Sequence, residues 1–356
     1  MSNWNQLTWS RTCFELIIGA TLSLLLYLTI MNIVVSKSLL FSSDAKRVIE
    51  IYKFCSLLRS SAYKPANLVI GSSIAVEGID ADIVDTVLDN GTASYNLGVV
   101  GLTPVEALML EPALKTGKPQ IVVIGVDAMS IGISADDKES INFEKLQAYR
   151  ATNIVTRMDK LAKQELLENI LLPNEKAIIE SDYLRYLIGC RSLPLFFTES
   201  KFREMARKGL RTEGITTNFK APWMLKSNLI GETKERILNS AIEKAQRLSF
   251  NSKNRNIKAL QVLISSLRAS NIEVMVVLWP VHPHILSSLS VALTERIDLT
   301  LNQFAHEYQC RYKDYSKLLT DSDFADALHP NVEGRAKLST NLAVDLKFLY
   351  PNYTAQ

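Results

Sequence analysis

Cysteine is scarce in this chain of 356 residues and poorly spaced for chemistry. Cys13, Cys55, Cys190 and Cys310 contain no C-x-x-C pair and lie in no His/Cys cluster. Neither a disulfide framework nor a zinc site is indicated, and all four are expected as small buried hydrophobes. An excess of charge of one sign is also missing. Forty Lys and Arg against 37 Asp and Glu leave a formal net charge of +3, with the basic residues scattered among acidic ones. That pattern is an ordinary solvated surface and gives no case for a nucleic-acid partner. No internal repeat and no low-complexity tract interrupts the chain. His282 and His284 flank Pro283 without a nearby carboxylate or cysteine, too little for a metal site. No metal and no cofactor is expected.

Charge is absent altogether from Leu16 to Val35 (LIIGATLSLLLYLTIMNIVV). About 20 apolar residues span a bilayer as a helix, and Thr21, Ser23 and Asn32 can bond within that helix. The run is longer than the core of a secretory signal and no small-x-small cleavage site follows it, so a retained anchor over residues 1–35 is expected. Arg11 precedes the span while Lys37, Lys46 and Arg47 follow it. Read literally, that distribution holds the following domain inside. The rule is weak, however, where a large domain follows a single N-terminal span.

An apolar content of 47% is ample for a packed core. Residues 36–64 read as an amphipathic connector, and residues 65–350 as one domain. Four short apolar runs have strand character: Asn67 to Gly71, Ala93 to Leu97, Gln120 to Val126 and Ile272 to Leu278, with a weaker fifth near Cys310 to Tyr315. They are continuous rather than alternating, as strands covered on both faces are. Helical patterns fall between them, at Ala81 to Leu88, Pro104 to Lys115, Ile257 to Ser270, Leu289 to His306 and Val332 to Phe348. This alternation predicts a three-layer α/β/α domain around a parallel sheet. Residues from about 128 to 250 break the rhythm. They are charged, helical in period and without a strand run, and read as a helical insertion. It forms either a lid or polymer groove, or simply packs against the sheet.

Ligands of parallel sheets bind beyond the carboxyl ends of the strands. Gly71-Ser72-Ser73, Gly98 to Gly101, Asp127 and Trp279-Pro280-Val281-His282 all fall there. An Asp three residues before a His, as in Asp326-Ala-Leu-His329, can share a turn with it. The carboxylate then holds one imidazole nitrogen while the other faces a hydroxyl such as that of Ser73. Each part has a plainer reading. Ser73 suits a helix N-cap, His329-Pro330 a surface turn, and Gly98 and Gly101 a tight turn. Trp279 suits either a sugar-stacking platform or the core.

In order and strand context these motifs resemble the SGNH, or GDSL-type, hydrolases and acyltransferases. Leu68-Val-Ile-Gly71-Ser72-Ser73 is similar to the first block, with Ser73 at the nucleophile's position. Asn96-Leu-Gly98-Val-Val-Gly101 is similar to the second, and Asp326-x-x-His329 to the last. The resemblance implies Ser73 as nucleophile, His329 as general base and Asp326 as its orienter. It implies an oxyanion hole from Ser73, Gly101 and the residue at position 127. That residue departs from the pattern, because the third block carries Asn where this chain has Asp127. An ionised carboxylate only accepts hydrogen bonds and repels an oxyanion. Asp127 is therefore expected to be protonated, to turn away, or to mark a weak or inactive relative. Asn96, Trp279 and His282 are expected to border the substrate.

The glycine-serine-serine variant, anchor and insertion look most like the D-alanyl transfer and alginate O-acetylation branch. This implies serine-dependent acyl transfer, as O-acetylation, on a cell-envelope polysaccharide. The domain would then lie outside the cytoplasmic membrane and be served by an integral membrane acyl donor. The alternatives are an esterase or lysophospholipase of the same fold, and a non-catalytic envelope scaffold.

Overall fold

A computed structural model describes residues 12–27, 43–59, 66–134, 141–152, 154–180, 219–220, 232–251 and 253–350. Its centre is a five-stranded sheet built from β1 (Ala66–Ile70), β2 (Ala93–Asn96), β3 (Ile121–Val126), β6 (Glu273–Leu278) and β7 (Arg311–Asp314). The order is β2-β1-β3-β6-β7 and every pairing is parallel. These are the five strands read from the sequence, with ends shifted by a residue or so. The central strands bury both faces, as their continuous apolar runs require.

Alternation along the strands feeds two separate cores. Val69, Ile121, Val123, Met275 and Val277 pack with residues of helices Ala81–Leu88 and Val332–Lys347. Leu68, Ile70, Val122, Ile124, Val274 and Val276 point to the larger core, with helices Ser43–Leu58, Arg255–Ala269 and Val291–Glu307. The sheet is thus the middle of three layers.

Four expectations need correcting. The helix anticipated over Pro104 to Lys115 is two, Pro104–Met109 and Glu111–Gly117. Pro112 has no N–H to donate and its ring crowds the carbonyl four residues back, so the helix breaks at Leu110. The insertion does contain strands: β4 (Ile133–Ser134) pairs antiparallel with β5 (Leu248–Ser249). This two-residue ribbon ties together the points where the insertion leaves and rejoins the domain. Cys55 and Cys310 are buried as expected, but Cys13 is exposed; Cys190 lies outside the described residues.

The fourth correction concerns the connector. Helix Ser43–Leu58 buries Val48, Ile51, Tyr52, Phe54 and Cys55, and packs on helices Glu111–Gly117 and Phe143–Ala151. It belongs to the larger core rather than leading to it. Before it, residues 12–27 form a helix exposed along its whole length, Phe14, Leu16, Ile17 and Leu22 included. Among the described residues no helix is long and apolar enough to cross a membrane. Residues 28–35 of the expected span lie outside the described residues.

Of the insertion, helices Phe143–Ala151, Ile154–Arg157, Lys160–Glu165, Pro173–Glu180 and Glu232–Gln246 are described, with a π-helical turn at Leu166–Ile170. Leu146, Tyr149, Ile154, Leu166 and Ile170 join the larger core. Residues 181–218 and 221–231 lie outside the described residues.

Candidate active site

Strand β1 ends at Ile70, and two residues later the chain enters helix Ser73–Gly78. Its N-cap is Ser72, not Ser73, so the plainer reading of Ser73 as a cap does not hold. The Ser72 hydroxyl bonds no helix amide; it donates to Asp127 Oδ2 at 3.2 Å. Ser73 is the first helical residue, where its own N–H has no partner within the helix.

The Ser73 hydroxyl lies 2.8 Å from His329 Nε2, across 256 positions of sequence. His329 Nδ1 lies 2.8 Å from Asp326 Oδ2. The other Asp326 oxygen accepts the N–H groups of Leu328 and His329, each at 2.7 Å. This is the turn that the i, i+3 spacing predicts, and it is closed by the Ala325 N–H donating to the His329 carbonyl at 2.8 Å. Burial pushes the Asp326 carboxyl up, but the His329 ring and the two backbone amides outweigh it and hold the group below the usual carboxylate range. A carboxylate so held stays ionised and fixes the tautomer in which Nδ1 carries the proton and Nε2 accepts from Ser73.

The nucleophile and the base are joined through the last helix. Asn331 caps it by accepting the Gly334 N–H at 2.9 Å, and the Arg335 guanidinium donates to the Glu77 carbonyl at 2.6 Å. Ser339 accepts the Asp80 N–H at 2.8 Å. Both elements therefore hold the base loop against the turn that carries Ser73.

Asn96 and Trp279, expected at the substrate's border, are both buried and are not among the residues that line the cleft. The buried Asn96 amide donates to the Ala75 and Ile79 carbonyls at 2.7 and 2.9 Å, and its oxygen accepts the Gly98 N–H at 2.9 Å. Its hydrogen bonds are spent on shaping the second loop. Trp279 is fully buried. A Cβ on Gly125 would stand about 2.0 Å from its indole, and one on Gly71 would stand 2.8 Å from its Nε1. Both glycines leave room for this ring, so Trp279 is core.

Asp127 also differs from the expected role. It caps helix Ala128–Ile131 by accepting the Ser130 N–H at 2.8 Å through Oδ1, while Oδ2 accepts from Ser72. Both oxygens act as acceptors, so the side chain offers the oxyanion no donor. Burial raises its pKa, partly offset by the Ser130 and Ser72 bonds. Asp127 has turned aside to organise the nucleophile's neighbour, Ser72.

Gly101 has φ +63°, the left-handed region that suits glycine. It shares an open cleft of about 1120 Å³ with Ser72, Ser73, Asp127 and His282. His282 is the one expected border residue that faces the cleft. Its Nδ1 accepts the His284 N–H at 3.4 Å and its Nε2 stands 2.6 Å from Asp321 Oδ1. Burial lowers its pKa against the opposing pull of Asp321. Among the described residues no group of three or more His, Cys, Asp or Glu could hold a metal ion.

Sequence reasoning missed several groups here. Lys145 and Arg236, both of the insertion, line the cleft. Arg47, on helix Ser43–Leu58, donates to the Asn96 carbonyl at 2.8 Å and the Gly98 carbonyl at 3.3 Å. Phe219 covers the same guanidinium at 4.0 Å, and burial lowers its pKa to about 10. Arg47 and, from the insertion, Lys145 grip backbone carbonyls of the Asn96–Gly101 loop, which no residue spacing announces.

No family model matches the chain, and no curated protein matches it. Among solved structures, the chain is similar to a carbohydrate acetylesterase from Sinorhizobium meliloti. The identity is 9% and the TM-score 0.36, over 80% of this chain and 100% of that one. A likeness at that level carries no argument, and the chemistry rests on the geometry above.

Proposed function

We propose that the protein transfers acyl groups through an acyl-Ser73 ester, acting as an O-acyltransferase or esterase. The observation that carries this reading is the unbroken Asp326–His329–Ser73 chain, with 2.8 Å at each link, ending on a serine that lines an open cleft. As an acyl ester binds, His329 Nε2 takes the Ser73 proton and Oγ attacks the acyl carbonyl carbon. The tetrahedral oxyanion collapses, the bond to the leaving alcohol breaks, and His329 returns the proton to that alcohol. A second hydroxyl, from a sugar or from water, then gives its proton to His329 and attacks the acyl-Ser73 carbonyl. Ser73 leaves and recovers the proton.

Acetyl transfer to a cell-envelope polysaccharide is the specific reaction we favour. The motif resemblance supports it, as does the exposed apolar helix 12–27, which suits a chain held at a membrane. In this reading an integral membrane partner supplies the acyl group and the domain faces away from the cytoplasm. One observation favours a second reading, a scaffold without activity: Asp127 gives the oxyanion hole no side-chain donor. Loss of one such donor costs about 3–4 kcal/mol of transition-state stabilisation, which slows an enzyme without abolishing it.

A fluorophosphonate probe separates the two. Full-length protein in membranes should label covalently, and Ser73→Ala should abolish the label while leaving the protein folded. Labelling that persists in Ser73→Ala removes Ser73 as nucleophile; absence of labelling in the wild type favours the scaffold. Comparing acetyl release to water with transfer to added oligosaccharide then distinguishes esterase from transferase.

A further inference from the structure

The segment from Asn96 to Gly101 carries the expected backbone donor of the oxyanion hole, and it is held by two cations, the half-buried Arg47 and the buried Lys145. Arg47 takes the carbonyls of Asn96 and Gly98. Lys145, from helix Phe143–Ala151 of the insertion, takes those of Val100 at 2.8 Å and Gly101 at 3.3 Å. Lys145 is itself 5% exposed, and its Nζ forms an ion pair at 3.1 Å with Glu106 Oε1, also buried. The other Glu106 oxygen accepts the N–H and hydroxyl of Thr103, at 2.9 and 3.1 Å, two residues past Gly101. A lysine from outside the sheet thus closes a charged network around this loop.

The peptide group makes this arrangement consequential. The Val100 carbonyl and the Gly101 N–H belong to one planar trans unit, in which C=O and N–H point in opposite directions. Fixing the carbonyl on Lys145 therefore fixes the N–H on the far side. A cation on the carbonyl oxygen also polarises the same amide and strengthens the bond its N–H can donate. Gly101 and Lys145 line the same cleft as Ser73. With Asp127 turned aside as an acceptor, the hole depends on its backbone donors.

We propose that Lys145 is a positioning residue for the oxyanion hole, supplied by the insertion: by gripping the Val100 carbonyl it aims the Gly101 N–H at the acyl carbonyl oxygen of a substrate at Ser73. The inference rests on the acyl-Ser73 reading and adds a role for the insertion beyond packing. Lys145 does not touch the reacting atoms. Its effect is on the geometry and polarity of one amide, and so on the transition state more than on ground-state binding.

The test uses full-length protein in detergent and hydrolysis of p-nitrophenyl acetate. Lys145→Met should lower kcat by about 10- to 100-fold, the scale of a misplaced or lost oxyanion donor. KM should stay within about threefold, because an interaction made only in the transition state is being removed. Lys145→Arg should recover part of the loss. Lys145→Met also strands Glu106 as a buried charge, so the double variant Lys145→Met/Glu106→Gln is the control for folding. It should regain thermal stability while kcat stays low. Wild-type kcat in Lys145→Met, or recovery of kcat together with stability in the double variant, overturns the positioning role. A wild type that neither turns over ester nor labels at Ser73 overturns the acyl-transfer reading itself, and this inference with it.

Discussion

Replacing Asp127 by Asn changes two properties of the site at once, and they can be measured apart. The Asp127 pKa is raised in the folded protein by burial, against about 3.9 in an unfolded chain. Above the unfolded value the unfolded chain has released a proton that the folded chain still holds. Folding stability therefore falls as pH rises, until the folded pKa is passed. Asn carries no proton to lose. The stability gain of Asp127→Asn is accordingly expected to be small near pH 4 and to grow toward pH 8, read from urea unfolding at the two pH values. A gain that shrinks with rising pH contradicts the raised pKa. Asn also keeps an oxygen for the Ser130 N–H and puts an amide donor where Oδ2 meets Ser72, beside the nucleophile, so kcat for acetyl-ester hydrolysis should rise. At this scale the base and its orienter were legible in the sequence, because three residues of separation bring two side chains onto one turn. The grips of Arg47 and Lys145 were not, since a backbone carbonyl has no letter of its own. Asn96 misled for the opposite reason. Its side chain spends its hydrogen bonds on backbone groups of two segments, and sequence spacing gives no hint of them.

Strands and helices obey simpler rules, and most were readable. Continuous apolar runs mark strands buried on both faces, and the five main strands follow from them. What escaped were features decided by a single residue or by tertiary proximity. The helix break at Leu110 hangs on Pro112. The β4–β5 ribbon is two residues long and exists because both ends of the insertion meet there. The fit of β3 beside β6 is also set at one residue. Gly125 pairs with Val277 across the ladder, and the indole of Trp279 occupies the volume a side chain at 125 would need. Gly125→Ala would place Cβ about 2.0 Å from a ring held on all sides, where nothing can give cheaply. The expected cost is about 3 kcal/mol or more, at the upper end for an overpacked core. Chemical denaturation of Gly125→Ala against wild type checks it, and a change within about 0.5 kcal/mol, typical of unconstrained surface sites, contradicts the packing argument. Trp279→Phe combined with Gly125→Ala should recover part of the loss, because the smaller ring vacates that volume.

For the molecule as a whole, the place where the domain begins decides how it can be handled and how it meets a membrane. The sequence pattern marks residues 36–64 as an amphipathic connector, since basic, serine and apolar positions mix there. In the fold, Val48, Ile51, Tyr52, Phe54, Cys55 and Leu58 are buried in the larger core. Fully burying one such large side chain contributes about 1.5–3 kcal/mol, and a domain's net stability is only about 5–15 kcal/mol. Removing residues 1–64 therefore strips more than the fold can lose and also removes Arg47 from the Asn96–Gly101 loop. Removing residues 1–42 leaves every one of these contacts in place. The shorter deletion should give a monodisperse protein with a cooperative thermal transition, whereas the longer one should aggregate or be degraded. Fractionation then addresses the proposed membrane attachment. Full-length protein should pellet with membranes and resist carbonate extraction, and the protein lacking residues 1–42 should remain in the supernatant with its Ser73 label intact. A full-length chain extracted by carbonate removes the anchor from the proposal. Membrane retention of the shortened protein would instead locate attachment on the folded domain.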